Sequence, residues 1–383
     1  MWMAHLNHFL KTIILIILLL PPLRGGVVTF FDPNHLNSST PYTVTSKLEY
    51  LIASDPISLD GMFHDWHGVY HPKSGENIAL QDMRIDIGTQ INPSFYVGYF
   101  YRYNVGIKTG KDFTDFFYRV KNHIDLDPNR VYRLDLDIEG VEQSGIAISH
   151  THFLINNTHT RLQIGGAISL GVGHDMQEGS IHGKAKIIDN KTYYAVGDIS
   201  SYYTHNYLYD LDVDQASAYG FGSDIAISYY NKTDTWGIDF LMNDLYSRLY
   251  WKDLPYSKVE IETENHSYDE DGYVHYSPSI SGLELYRNFT QKISPRYRLE
   301  GHKDLSHGVI ALVGCDYLYD TTLAYVEVQK QLMAQTYVGF SYEERFHSFE
   351  VQYNRENFSF SLRTDSLKDN SVLGITANYF FLF

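Results

Sequence analysis

The sequence predicts an all-β fold, a transmembrane up-and-down antiparallel β-barrel of roughly 14 to 18 strands, and three observations predict it. From about Gln81 onward, short segments alternate apolar and polar residues with the period of two that a β-strand imposes. The breaks between the last of these segments are only a few residues long, as between Asn354 and Asn357, which implies sequential hairpins. The chain also ends on an apolar strand, Ser371 to Phe383, with Leu373, Ile375, Ala377, Tyr379, Phe381 and Phe383 on one face and Gly374, Thr376 and Asn378 on the other. In water such an edge would fray or aggregate. In a bilayer its apolar face meets lipid, its mixed face meets a lumen, and pairing with the first strand of a closed barrel removes the edge.

Taken from the N-terminus, Lys11 precedes the apolar run Ile13 to Leu20, and Pro21, Pro22, Gly25 and Gly26 follow. This is the order of a secretory signal peptide, assigned to residues 1–26, with cleavage expected between about Gly25 and Thr29. The run is shorter than the roughly 20 apolar residues of a membrane-spanning helix. Residues 27–80 form an N-terminal segment expected to act as a plug in the lumen or as a periplasmic extension, and residues 81–383 form the barrel. Its staves begin with Met83, Ile85 and Ile87 against Asp82, Arg84 and Asp86, followed by Phe95, Val97, Tyr99, Tyr101 and Tyr103 with Gly98 and Arg102 opposed. Tyr132, Leu134, Leu136 and Ile138 then alternate with Arg133, Asp135 and Asp137, a charged face that suits a wet lumen better than a packed core. Val338, Phe340 and Tyr342, then Phe349, Val351 and Tyr353, then Phe358, Phe360 and Leu362 lead into the terminal strand. The longer polar stretches Asp55 to Leu80, Thr204 to Ser217 and His266 to Ser277 are candidate extracellular loops or plug.

The terminal strand resembles the C-terminal strand of Gram-negative outer-membrane proteins. That resemblance implies an outer-membrane location, an assembly signal at Tyr379, Phe381 and Phe383 read by the barrel-assembly machinery, and contact with outer-membrane lipid and lipopolysaccharide. A second, local resemblance covers about thirty residues. Gly220, Gly222 and Asp224 of the segment YGFGSDIAISYY, with Asn243, Asp244 and Leu245 after it, are similar to a strand pair of the long-chain fatty-acid transporter superfamily. The Gly/Ala-rich, Asn-Pro-containing hatch of those transporters has no counterpart here, and the match assigns no functional residue.

Composition fits the same fold. Mean hydropathy is only -0.28, yet the chain holds 33 Tyr and 21 Phe, and tyrosine suits the membrane interface, with its ring in lipid and its hydroxyl in water. Net charge is -16, which argues against nucleic acid as a partner and favours cations in any lumen the acids line. Cys315 is the single cysteine, so no internal disulfide forms.

His64, His67 and His71 lie within eight residues and are candidate metal ligands if their loop curls, although Gly68 and Pro72 oppose a helix that would align them. The acidic run from Glu260 to Asp271 does not follow a calcium-loop spacing. No Gly-x-Ser-x-Gly elbow occurs, and no enzymatic activity and no cofactor are expected. The functional expectation is a porin-like channel or transporter for small solutes, hydrophobic ones included, with Arg84, Asp86, Arg102, Arg133, Asp135 and Asp137 as pore-lining candidates. The alternative is a non-conducting structural or assembly barrel that anchors an envelope secretion or appendage system. Charged lumen residues that pair across the barrel and close it would favour the alternative.

Overall fold

A computed structural model describes residues 43–92, 94–128, 130–187, 193–205, 216–263, 266–268, 274–276, 280–355 and 358–382. The leader expected at 1–26, its expected cleavage region and Phe383 lie outside the described residues.

The alternation read from the sequence builds an inside-out wall. Outward residues such as Ile146, Ile168, Leu170, Val313, Val326, Phe340 and Val351 are exposed, while inward Asn104, Gln143, Ser228, Ser341, Ser361 and Asn378 are buried. A water-soluble sheet would have the reverse distribution. Apolar side chains facing outward around a closed ring of strands make the surface of a bilayer-spanning barrel, because closure leaves no unpaired backbone edge for lipid to meet.

Seventeen strand segments form one antiparallel sheet. β1 (Thr43–Ser54), β2 (Glu76–Asn92), β3 (Phe95–Gly110), β4 (Val131–Asn156) and β5 (Thr160–Ile187) pair in sequence order. β6 (Tyr193–Tyr203) and β7 (Ser217–Asn231) both lie along β5, one after the other. β8 (Trp236–Asn243) and β9 (Arg248–Glu262) likewise run end to end, as do β12 (Ile280–Lys292) on β9 and β13 (Arg296–Asp304) on β8. These three staves are each interrupted once. The short hairpin of β10 (His266–Tyr268) and β11 (Val274–Tyr276) stands apart in the β9–β12 connection. β14 (Val309–Leu318), β15 (Thr321–Met333), β16 (Thr336–Glu343), β17 (Ser348–Arg355), β18 (Phe358–Thr364) and β19 (Val372–Leu382) complete the meander. β19 pairs with β1 from Thr43↔Leu382 to Ala53↔Val372 and closes the ring.

The division at residue 80 is corrected by this pairing. Residues 43–54 are a wall strand, not plug or periplasmic extension, and Glu76 already opens β2. The sequence TVTSKLEYLIAS alternates as well as later staves do, and β19 needs a partner on its free edge.

One end of the barrel carries tight turns, such as residues 157–159, 232–235 and 334–335. The other carries two helical connections, α1 (Leu59–Phe63) between β1 and β2 and α2 (Lys111–Lys121) between β3 and β4. These connections dock on each other. Trp66 meets Phe117 edge-on at 4.8 Å, Tyr70 stacks on Tyr118 at 4.0 Å, and Lys121 bonds Asp65 at 2.8 Å. Arg130 gathers Asp112, Asp115 and Asp127, and the Tyr70 hydroxyl donates to Asp115 at 2.6 Å. Burial and that acidic partner push the Tyr70 phenol upward. The long connections between staves all leave from the helical end, which also carries the short β14–β15 and β16–β17 turns, and this asymmetry matches an extracellular end opposite a periplasmic one.

Candidate functional site

The inward face is crowded at mid-height. β2 contributes Asp82, Arg84 and Asp86, β3 contributes Arg102 and Asn104, and each of these five side chains is buried. They meet side chains of the opposite wall. Arg102 Nη1 donates to both carboxylate oxygens of Asp244, at 2.9 and 3.1 Å, and Arg84 approaches the same carboxylate at 3.8 Å. Arg296, at the start of β13, lies 3.5 Å from Asp82, which also accepts from Asn104 at 2.9 Å. Strands β2 and β3 share no ladder with β8 or β13, so these contacts run across the lumen rather than along the wall.

Asp244 occupies the break between β8 and β9 with φ 56°, and its backbone N–H donates to Asp224 at 2.8 Å. The interruption of the stave aims this carboxylate inward. Asp224 and Asp244 belong to the segment that carries the local transporter resemblance, so the signal for this position was present in the sequence without a role attached to it.

A second obstruction comes from the β14–β15 turn. Tyr319 and Asp320 have φ 49° and 56°, the paired left-handed conformation of a two-residue hairpin turn that ordinarily selects Gly or Asn. Tyr319 reaches over to β3, where its ring lies so close to Gly106 that a Cβ there would come within 2.3 Å of it. Lys108 on β3 pairs with Asp320 beside it. Leu318, Leu323, Phe346, Ile78 and Val372 pack around Ala53 behind this turn.

The lumen is thereby divided. Among the described residues, two cavities of about 20 Å³ lie at the septum, lined by Asp82, Arg84, Asp244, Arg296 and Tyr319 on one side and by Lys47, Asp86, Arg102 and Arg298 on the other. Each has room for roughly one water. Toward the helical connections lies a chamber of about 340 Å³ lined by Lys108, Asp137, Glu139, Glu178, Ser200 and Lys292. Toward the tight turns lies one of about 280 Å³, whose charged lining is Glu49, Asp239, Glu300, Asp316, Glu327 and Glu350 against Arg298 and Arg363. In this second chamber Arg298 is held by Asp316 at 2.7 Å and Arg363 by Glu350 at 2.7 Å, which leaves an excess of carboxylates.

The pore-lining candidates thus separate into groups. Arg84, Asp86 and Arg102 converge on the septum, Asp137 lines the chamber toward the helical connections, and Arg133 and Asp135 stand exposed at the start of β4, where Asp135 faces His182 at 3.5 Å. Periodicity missed Asp244, Arg296 and Tyr319, which sit at strand breaks or turns where parity does not apply. The loop histidines do not converge. The Nδ1 atoms of His64 and His67 face backbone carbonyls of their own loop, at 2.9 Å from Asp60 O and 3.0 Å from Asp65 O. Among the described residues, the one group with ligand atoms mutually within 4.8 Å is Asp239, Glu300 and His302. Of the assembly-signal residues, Tyr379 and Phe381 lie in β19, with Tyr379 half-buried.

No protein-family model matches the chain, and no curated protein sequence matches it. Among solved structures it is similar to a TodX deltaS2S3 mutant monoaromatic hydrocarbon channel, at 10% identity and a TM-score of 0.46 over 94% of this chain and 96% of that one. It is also similar to the toluene transporter TbuX of Ralstonia pickettii, at 10% identity and 0.35 over 94% and 96%. A third similar structure is the outer-membrane protease OmpT of Escherichia coli, at 9% identity and 0.24 over 92% and 99%. Likenesses of this degree assign neither substrate nor activity.

Proposed function

We propose that this chain is an outer-membrane transport barrel of a Gram-negative bacterium, a gated channel for small polar solutes with a preference for cations. The observation that carries this reading is the pair of chambers on opposite sides of a septum whose described cavities each have room for about one water, the turn-end chamber having an acidic excess. An acidic lining in a low-dielectric wall raises the local concentration of cations and repels anions. It also makes the turn-end chamber a poor host for a purely hydrophobic solute, whose entry would desolvate carboxylates without replacing their partners. Passage requires the Arg102–Asp244 and Arg296–Asp82 contacts to part, and both sit where a strand is interrupted rather than within a continuous ladder.

The cross-lumen ion pairs favour a second reading, the closed structural barrel that anchors an envelope machine. Planar-bilayer recording of the folded barrel across a KCl gradient separates the two. The transport reading expects intermittent, cation-selective conductance that rises when the septum is weakened. Silence from the wild type and from septum variants that still fold leaves the structural barrel.

A further inference from the structure

Near the turn end of the lumen, β8 and β13 set Asp239 directly opposite Glu300, with His302 opposite Gly237. Two carboxylates in register on adjacent strands repel each other, and such pairs ordinarily acquire a cationic neighbour. Among the described residues, neither has a Lys or Arg nitrogen within 4.0 Å; Asp239 meets only the His302 Nδ1 at 3.5 Å. The two guanidinium groups that line the chamber are already engaged, Arg298 with Asp316 and Arg363 with Glu350.

The surroundings orient the three groups. Tyr325, lying across Gly314, donates to Glu300 Oε2 at 2.7 Å and leaves the other carboxylate oxygen open. His302 lies flat over Gly237, where a Cβ would come within 2.6 Å of its Cε1, and Tyr230 stacks near it at 5.8 Å. A hydrogen-bonded carboxylate and an imidazole held by packing are the supporting interactions that fix metal ligands in place.

We infer that Asp239, Glu300 and His302 form a binding site for a first-row divalent cation such as Zn²⁺. Their ligand atoms lie within 4.8 Å of one another. Ligands at metal–ligand bond lengths of about 2.0–2.2 Å stand roughly 3.3 Å apart, so convergence needs a movement of about 1 Å from side chains that are only half-buried. One imidazole nitrogen with two carboxylate oxygens selects Zn²⁺ and its row neighbours over Mg²⁺ and Ca²⁺, which prefer all-oxygen shells. With His302 neutral the trio carries the two negative charges that a divalent ion neutralises. The remaining coordination positions open onto the turn-end chamber, lined by Asp239 and Glu300. The site stands whether or not the lumen conducts, since it needs only the two strands and access from the turn end.

The test is calorimetric titration of the full-length folded barrel in detergent with Zn²⁺, and with Mg²⁺ as the competitor. One Zn²⁺ per barrel is expected, undisturbed by millimolar Mg²⁺. His302→Ala and Glu300→Gln should each weaken binding by at least about tenfold, the loss typical of disturbing a metal's shell. A His64→Ala/His67→Ala/His71→Ala variant should bind as the wild type does. Heat-modifiable gel migration establishes that each variant is folded, and Co²⁺ absorption of the wild type reports ligation without any functional assay. Absence of Zn²⁺ binding by the folded wild type, unchanged affinity in both site variants, or loss of binding in the loop variant alone overturns the site.

Discussion

Asp244→Ala is the perturbation that tests the septum most directly. In the wild type this carboxylate accepts two hydrogen bonds from Arg102, which is only 4% exposed, and faces Arg84 at 3.8 Å. Removing one partner of a buried pair leaves the other charge uncompensated, at a cost of about 3–5 kcal/mol. Among the described residues Arg102 has no second acceptor at hydrogen-bond distance, but Asp86 lies beside it and still compensates part of its charge, so the low end of that range applies. If the channel opens by parting these groups, most of that cost falls on the closed state, where the pair is made. A closed-state loss of 3 kcal/mol raises the open population by roughly 100-fold, at 1.4 kcal/mol per decade. Single-channel open probability in planar bilayers reads that change, and denaturant unfolding of the same protein in detergent reads the stability loss. The double variant Arg102→Met/Asp244→Asn, which removes both charges and keeps a residue suited to φ 56° at the strand break, should recover closure and much of the stability. A folded Asp244→Ala barrel whose open probability matches the wild type would refute the reasoning, because the contact would then hold the wall together without gating it.

Tyr319→Asn keeps a residue suited to positive φ in the β14–β15 turn and removes the ring lying over Gly106, so conductance is expected to rise, with a loss of stability because the ring also packs against the Ala53 cluster; equal conductance removes Tyr319 from the gate. Ile168 is 67% exposed on the outer face of β5, and Ile168→Arg should cost about 2–4 kcal/mol if it sits near the bilayer midplane, measured by unfolding in lipid vesicles. A neutral result would deny that this face meets acyl chains. Tyr70 gives a pH dependence: its phenol is pushed above the ordinary value of 10.0, so docking of the two helical connections is fully supported below about pH 10 and weakens as pH rises toward the higher folded value. Trp66 fluorescence, with Trp66→Phe as the blank, should report the alkaline release, and Tyr70→Phe should abolish it.

Much of the wall was legible because strand parity is a local property. Asp82, Arg84 and Asp86 share a face whatever the rest of the chain does, and Ser371 to Phe383 declares an outer and an inner side on its own. The first stave escaped the opening division because a long polar connection, residues 55–75, follows it and detaches it from the clearer hairpins. The loop histidines show the converse, since nearness in sequence does not by itself aim side chains together: the Nδ1 atoms of His64 and His67 face backbone carbonyls of their own loop. Asp239 lies some sixty residues before Glu300 and His302 and becomes their neighbour through the β8–β13 ladder.

By itself, the sequence determined the all-β barrel, the polar inner and apolar outer faces, and the closing strand, since each follows from a period of two and from the cost of an unpaired edge. Only the tertiary structure decided that Arg102 meets Asp244, 142 positions away, and that Tyr319 bars the lumen above them. The reason is physical: parity tells a side chain which face it occupies, whereas its partner across the lumen depends on how the ring closes and where staves break, which no local pattern encodes.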